Sequence, residues 1–74
     1  MQVYKDINHD SGVRGYDIGD TYITVWFDGT PRSYTYSYAS AGAENVETMK
    51  KLAVSGDGLN AFINKFVKFK YIRK

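Results

Sequence analysis

Five basic side chains, Lys65, Lys68, Lys70, Arg73 and Lys74, fall between residues 58 and 74, a stretch with no acidic residue. Residues 1–57 carry five basic and eight acidic side chains, so the formal net charge of +2 divides into −3 and +5. The chemistry open to such a segment is ionic: it can neutralise phosphates or another anionic partner. The plainer alternative is a solvated helix end, where lysines complement the negative pole of the helix dipole. A second group is aromatic. "RSYTYSY" (32–38) sets Tyr34, Tyr36 and Tyr38 on alternate positions, and "TYITVWF" (21–27) sets Tyr22 and Trp26 on one face. Aromatic rings stack on bases or anchor a protein partner, and they also fill cores.

Other reactive constellations are missing. The single histidine, His9, stands beside Asp10 in a polar stretch, and there is no cysteine to complete a triad, a thiolate zinc site or a disulfide. Asp17, Asp20 and Asp28 fall at turns and strand ends, where aspartate is common for conformational reasons. The glycines of "SGDG" (55–58) lack the lysine and the length of a phosphate loop. The free N–H groups of "SGDGLN" offer a generic anion site, which Asp57 already weakens. The reading is a non-enzymatic chain without cofactor or metal.

Length fixes the scale: 74 residues make one small domain, with 16% aromatics as core material. No apolar run approaches the ~20 residues of a membrane span, and "MQVYKDINHD" lacks a signal peptide's apolar centre, so a cytoplasmic location and no membrane are expected. Residues 1–11 read as an irregular lead-in. "GVRGYDIG" (12–19) reads as a strand with Arg14, Tyr16 and Ile18 on one face, and "TYITVWF" as the firmest strand. Gly19-Asp20 marks a tight hairpin and "DGTP" (28–31) a second turn before "RSYTYSY" returns. A helix then buries Val46, Met49 and Ala53, with Glu47–Lys51 as an i,i+4 pair outside. Ser40 or Asn45 caps it, and Gly56 or Gly58 ends it in a left-handed conformation. Asp57 caps a last helix with a stripe of Leu59, Phe62, Ile63 and Phe66, flanked by Val67 and Phe69, ending near residue 69. The expected fold is α+β: a three-stranded antiparallel meander with two helices on one face, in the order β-β-β-α-α.

Strand alternation then weighs the aromatics. Joining the large side chains into one core face pairs Ile23, Val25 and Phe27 with Tyr34, Tyr36 and Tyr38, under the helices. Tyr22 and Trp26 are left on the uncovered face, as a stacking platform, as cover for a protein partner or homodimer, or simply exposed.

With these motifs placed, residues 12–71 resemble the KTSC domain family, short domains found alone and at the C-terminus of some lysyl-tRNA synthetases. "GYD" (15–17), "ITVWFDG" (23–29), "YTY" (34–36) and "LAVSGDGLNAFI" (52–63) carry the resemblance by their order and spacing. The chain departs from it in a longer passage "GTPRSY", a longer "YSYASAGAEN", and a junction one residue short between Ser55 and Asn60. The resemblance implies an RNA-binding role, as has been suggested for the family, and stand-alone bacterial or phage occurrence.

The leading expectation is a binding module for nucleic acid (RNA or a single strand) or nucleotide. Lys65, Lys68, Lys70, Arg73 and Lys74 would meet phosphates, while Tyr22, Trp26 or the stacking or structural tyrosines Tyr34 and Tyr36 meet bases. The runner-up is a small protein-binding inhibitor, such as a phage-encoded blocker of a host defence complex, docking through a free sheet edge or the basic tail. Third is a homodimer joined through Tyr22 and Trp26; the chain is otherwise a monomer.

Overall fold

The computed structural model describes residues 1–5, 12–29 and 31–72. Four antiparallel strands lie in sequence order: β1 (Gln2–Val3), β2 (Val13–Ile18), β3 (Tyr22–Phe27) and β4 (Ser33–Ser37). Three helices follow, α1 (Tyr38–Ala41), α2 (Ala43–Ser55) and α3 (Leu59–Phe62), and α3 runs on into a π-helical turn, Ile63–Val67. The chain is thus α+β, with helical cover on the sheet face that carries Ile23, Val25 and Tyr36. His9 and Asp10 lie outside the described residues, as do Arg73 and Lys74.

The sheet has one strand more than the three expected. β1 belongs to the stretch read as irregular; two residues are too few to show a period, and pairing with β2 places them. The next residue, Tyr4, is only 4% exposed, and its hydroxyl accepts the Leu59 N–H at 3.3 Å. That N–H begins α3, where no intrahelical partner exists. Tyr4→Phe keeps the ring and removes this acceptor, so it is expected to cost about 1–2 kcal/mol, read as a lower urea midpoint at unchanged m-value.

Pairing of Ile23 with Tyr36 and Val25 with Tyr34 sets both tyrosines on the core face, as the alternation implied. Tyr38 does not continue that face. It is the first residue of α1, because Ser37 caps the helix: the Ser37 hydroxyl accepts the Ser40 N–H at 3.1 Å, and Ser40 Oγ accepts the Ser37 N–H at 3.0 Å. Ser40 therefore completes a capping box for a helix the periodicity did not reveal, while Gly42, at φ 95°, precedes α2. Asn45 turns back to donate to the Ala41 carbonyl. In β2 a bulge between Val13 and Gly15 makes Arg14 the extra residue. Val13, not Arg14, thus joins the core face, and Arg14 is exposed.

At the β2–β3 hairpin Asp20 and Thr21 form the tip, and Gly19 N–H donates to the Tyr22 carbonyl at 2.9 Å. Gly19 serves close approach: a Cβ there would stand 2.0 Å from Tyr22 Cε2. Val46, Met49 and Ala53 of α2 are buried as the spacing required. Glu47 pairs with Lys50 rather than Lys51, at 2.8 Å, and also accepts from the Tyr38 hydroxyl. Lys50 donates further to the Asp20 carbonyl, so one cluster ties α1, α2 and the hairpin. The Lys50 ammonium and then the Tyr38 hydroxyl hold the Glu47 carboxyl below its usual range. Gly56, left-handed at φ 79°, ends α2 by donating to the Leu52 and Ala53 carbonyls. Gly58, not Asp57, stands at the cap position of α3, also left-handed.

Candidate nucleic-acid interface

The π-helical turn decides what the C-terminal helix shows to solvent. Leu59, Ile63 and Val67, four residues apart, are all buried. In a regular α-helix such a row would drift by about 40° at each step, whereas a wider turn keeps it aimed at the sheet. The expected stripe is corrected accordingly: Phe62 is half-buried, and Phe66 and Phe69 are 49% and 74% exposed. The helical turn closes at Val67, two residues earlier than expected.

The two outward phenylalanines stand among the lysines. Lys65 Nζ lies 5.3 Å from the centre of the Phe66 ring, and Lys68 Nζ lies 5.4 Å from that of Phe69. Both are within cation–π range. Phe62 and Phe66 lean together with ring centres 4.9 Å apart. Among the described residues no carboxylate comes within ion-pair distance of Lys65, Lys68 or Lys70, all three exposed. The result is a ridge of alternating rings and ammonium groups. Sequence reasoning missed its aromatic half by assigning Phe66 and Phe69 to the core. The signal was present: in "KFVKF" (65–69) Lys-Phe recurs at three-residue spacing around a buried valine.

Behind the ridge a cleft of about 210 Å³ separates the helix from the sheet. Phe27, Tyr34 and Tyr36 line it from the strands, Ile63, Asn64, Lys68 and Phe69 from the helical side, and Tyr71 from the final segment. The rings meet edge to face: Phe27–Tyr34 at 5.6 Å, Tyr34–Tyr71 at 4.8 Å and Tyr36–Tyr71 at 6.3 Å. Tyr71 is held there because the Ile72 N–H donates to the Thr35 carbonyl at 2.7 Å, closing part of the outer edge of β4. Burial, and then the neighbouring Tyr34 and Tyr71 hydroxyls, push the Tyr36 phenol up to about 12.

Of the residues singled out from sequence, Lys68, Tyr34 and Tyr36 therefore share one cleft, and Lys65 and Lys70 stand on the same segment. Tyr22 and Trp26 do not join them. They occupy the opposite sheet face with Thr24 and Thr35, whose hydroxyls bond each other at 2.8 Å. Tyr22 is 41% exposed but folded over Gly19, and Trp26 is half-buried. No group of three His, Cys, Asp or Glu side chains converges among the described residues. No helix among them is long and apolar enough to cross a membrane. No family profile, curated protein or solved structure matches the chain.

Proposed function

We propose that this protein is a non-enzymatic module that binds single-stranded nucleic acid, RNA in the first place, through the ridge of residues 62–70. The observation that carries the reading is the pairing of exposed rings with unneutralised ammonium groups, Phe66 with Lys65 and Phe69 with Lys68. Single-strand binders combine these two elements: cations follow the phosphates while rings stack on successive bases without reading sequence. Lys65, Lys68 and Lys70 supply the phosphate contacts, with Arg73 and Lys74 continuing the basic run. The KTSC resemblance of residues 12–71, with its suggested RNA role, agrees with this reading but does not carry it.

The stacking role passes from Tyr22 and Trp26 to Phe66 and Phe69, since only the latter stand beside the lysines. The runner-up, a protein inhibitor that adds a strand to a partner's sheet, has less to work with. At one edge β1 offers two residues, and at the other the Thr35 carbonyl is already engaged by Ile72.

The test is a salt titration with a fluorescent oligouridylate of ten nucleotides. Three or four phosphate contacts give a log–log slope of about −2 to −3, at about −0.7 per contact on a single strand. Affinity at physiological salt is expected to be micromolar or weaker, and nearly independent of sequence. Absence of binding even at low salt would sink the reading and leave the basic segment as a solvated helix end.

A further inference from the structure

We infer that the cleft between β4 and the C-terminal helical segment is a pocket for one nucleoside monophosphate unit. The inference rests on the nucleic-acid reading for the class of ligand; its site shares Asn64, Lys68 and Phe69 with the ridge and adds Phe27, Tyr34 and Tyr71 behind it. The walls are mostly ring faces and edges, from Phe27, Tyr34, Tyr71 and Phe69, so a planar ring is the natural guest. At about 210 Å³ the cleft falls below the roughly 300–1,000 Å³ of sites for drug-sized ligands, which restricts it to a single base.

Charge narrows the class further. Aromatic cages also accept quaternary ammonium groups, but Lys68 lines this one and would repel a cation. An ammonium group at the rim instead selects a ring that carries a negative group, as a nucleotide does. Asn64, exposed on the same rim, adds an amide able to both donate and accept, which suits the edge of a base. The unit can come from a free mononucleotide or from a base splayed out of a strand lying on the adjacent ridge.

Adenosine 5′-monophosphate is the probe, because one nucleotide is too small to span the ridge. Titrated into isotopically labelled protein, it should shift the Tyr34, Tyr71 and Phe69 ring signals. Base protons should show nuclear Overhauser contacts to those rings, with a dissociation constant on the order of 1 mM. Asn64→Phe, which fills the mouth from an exposed position, should weaken binding about tenfold or more at an unchanged melting temperature. Lys68→Gln should weaken the monophosphate several-fold while leaving adenosine unaffected.

Adding oligouridylate tells the two sources apart. Loss of the adenine contacts while the cleft rings stay shifted shows that a strand supplies the unit. Persistence of those contacts with the oligonucleotide bound shows a free nucleotide; either supports the pocket. If the oligonucleotide binds but the monophosphate leaves the cleft rings unmoved, the pocket is overturned and the ridge survives. Monophosphate contacts in the cleft without any oligonucleotide binding would leave the pocket standing and remove the ridge. Binding of neither removes both.

Discussion

Tyr36→Ala is expected to destabilise the domain by about 3 kcal/mol, the low end for removing a large buried ring. Tyr36 is 1% exposed and among the largest side chains sealed in the core, facing Ile23 across the β3–β4 pair. A chain of 74 residues has roughly 4–11 kcal/mol of stability in total, so the loss is a large share of it. Chemical denaturation followed by circular dichroism measures it, and an unchanged midpoint would show that the ring contributes little to the core. Tyr36→Phe, which keeps the ring, should stay much closer to the parent.

The same side chain gives a pH dependence whose direction is fixed. Its phenol titrates near 12 in the folded protein and near 10 when unfolded. The unfolded chain therefore loses that proton first. The stability tied to neutral Tyr36 is complete below pH 10 and is lost as pH rises from about 10 to about 12. Tyr36→Phe should remove this component of alkaline unfolding.

How much of this was legible in the sequence differs from element to element. The β3–β4 pairing could be read because a period of two leaves one economical way to join Ile23 and Val25 with Tyr34 and Tyr36. The inner face of α2 followed from Val46, Met49 and Ala53 by the same kind of argument. Local chemistry defeated the pattern elsewhere. Ser37 and Ser40 bond each other's backbone and pull Tyr38 out of the strand, an outcome that alternation cannot foresee. Gly19 looked like a turn residue, but its missing side chain makes room for the Tyr22 ring. The bulge at Arg14 exchanges the faces of its neighbours.

The C-terminal helix was misread for a reason that bears directly on the site. A 3.6-residue period draws Phe66 into the core stripe, and hydrophobicity alone supports that choice. The π-helical turn instead aligns Leu59, Ile63 and Val67 and leaves Phe66 and Phe69 in water beside two ammonium groups. Such insertions occur often at functional sites, where they turn side chains to positions that a regular helix would not give them. Tyr71 was invisible for another reason: its place in the cleft depends on one backbone hydrogen bond to β4, far away in sequence.

Reversing Lys65 and Lys68 to glutamate should have the largest effect on binding. Both are exposed and have no acidic partner among the described residues, so the double variant is expected to fold as the parent does. At 0.1 M salt each phosphate contact contributes about 0.7 log unit through released counterions, so losing two weakens a single strand about 25-fold. Repulsion from the new carboxylates adds to that loss. The log–log salt slope should flatten by about 1.4, from between −2 and −3 to around −1, and equally for every sequence. Phe66→Ala with Phe69→Ala should behave differently. Stacking is worth about 1–3 kcal/mol per base and releases no counterions, so affinity falls while the slope is kept. Fluorescence anisotropy across a salt series distinguishes the two outcomes. An unchanged slope in the Lys65→Glu, Lys68→Glu variant would show that phosphates do not meet these lysines. The ridge would then be a surface for a partner held by its rings.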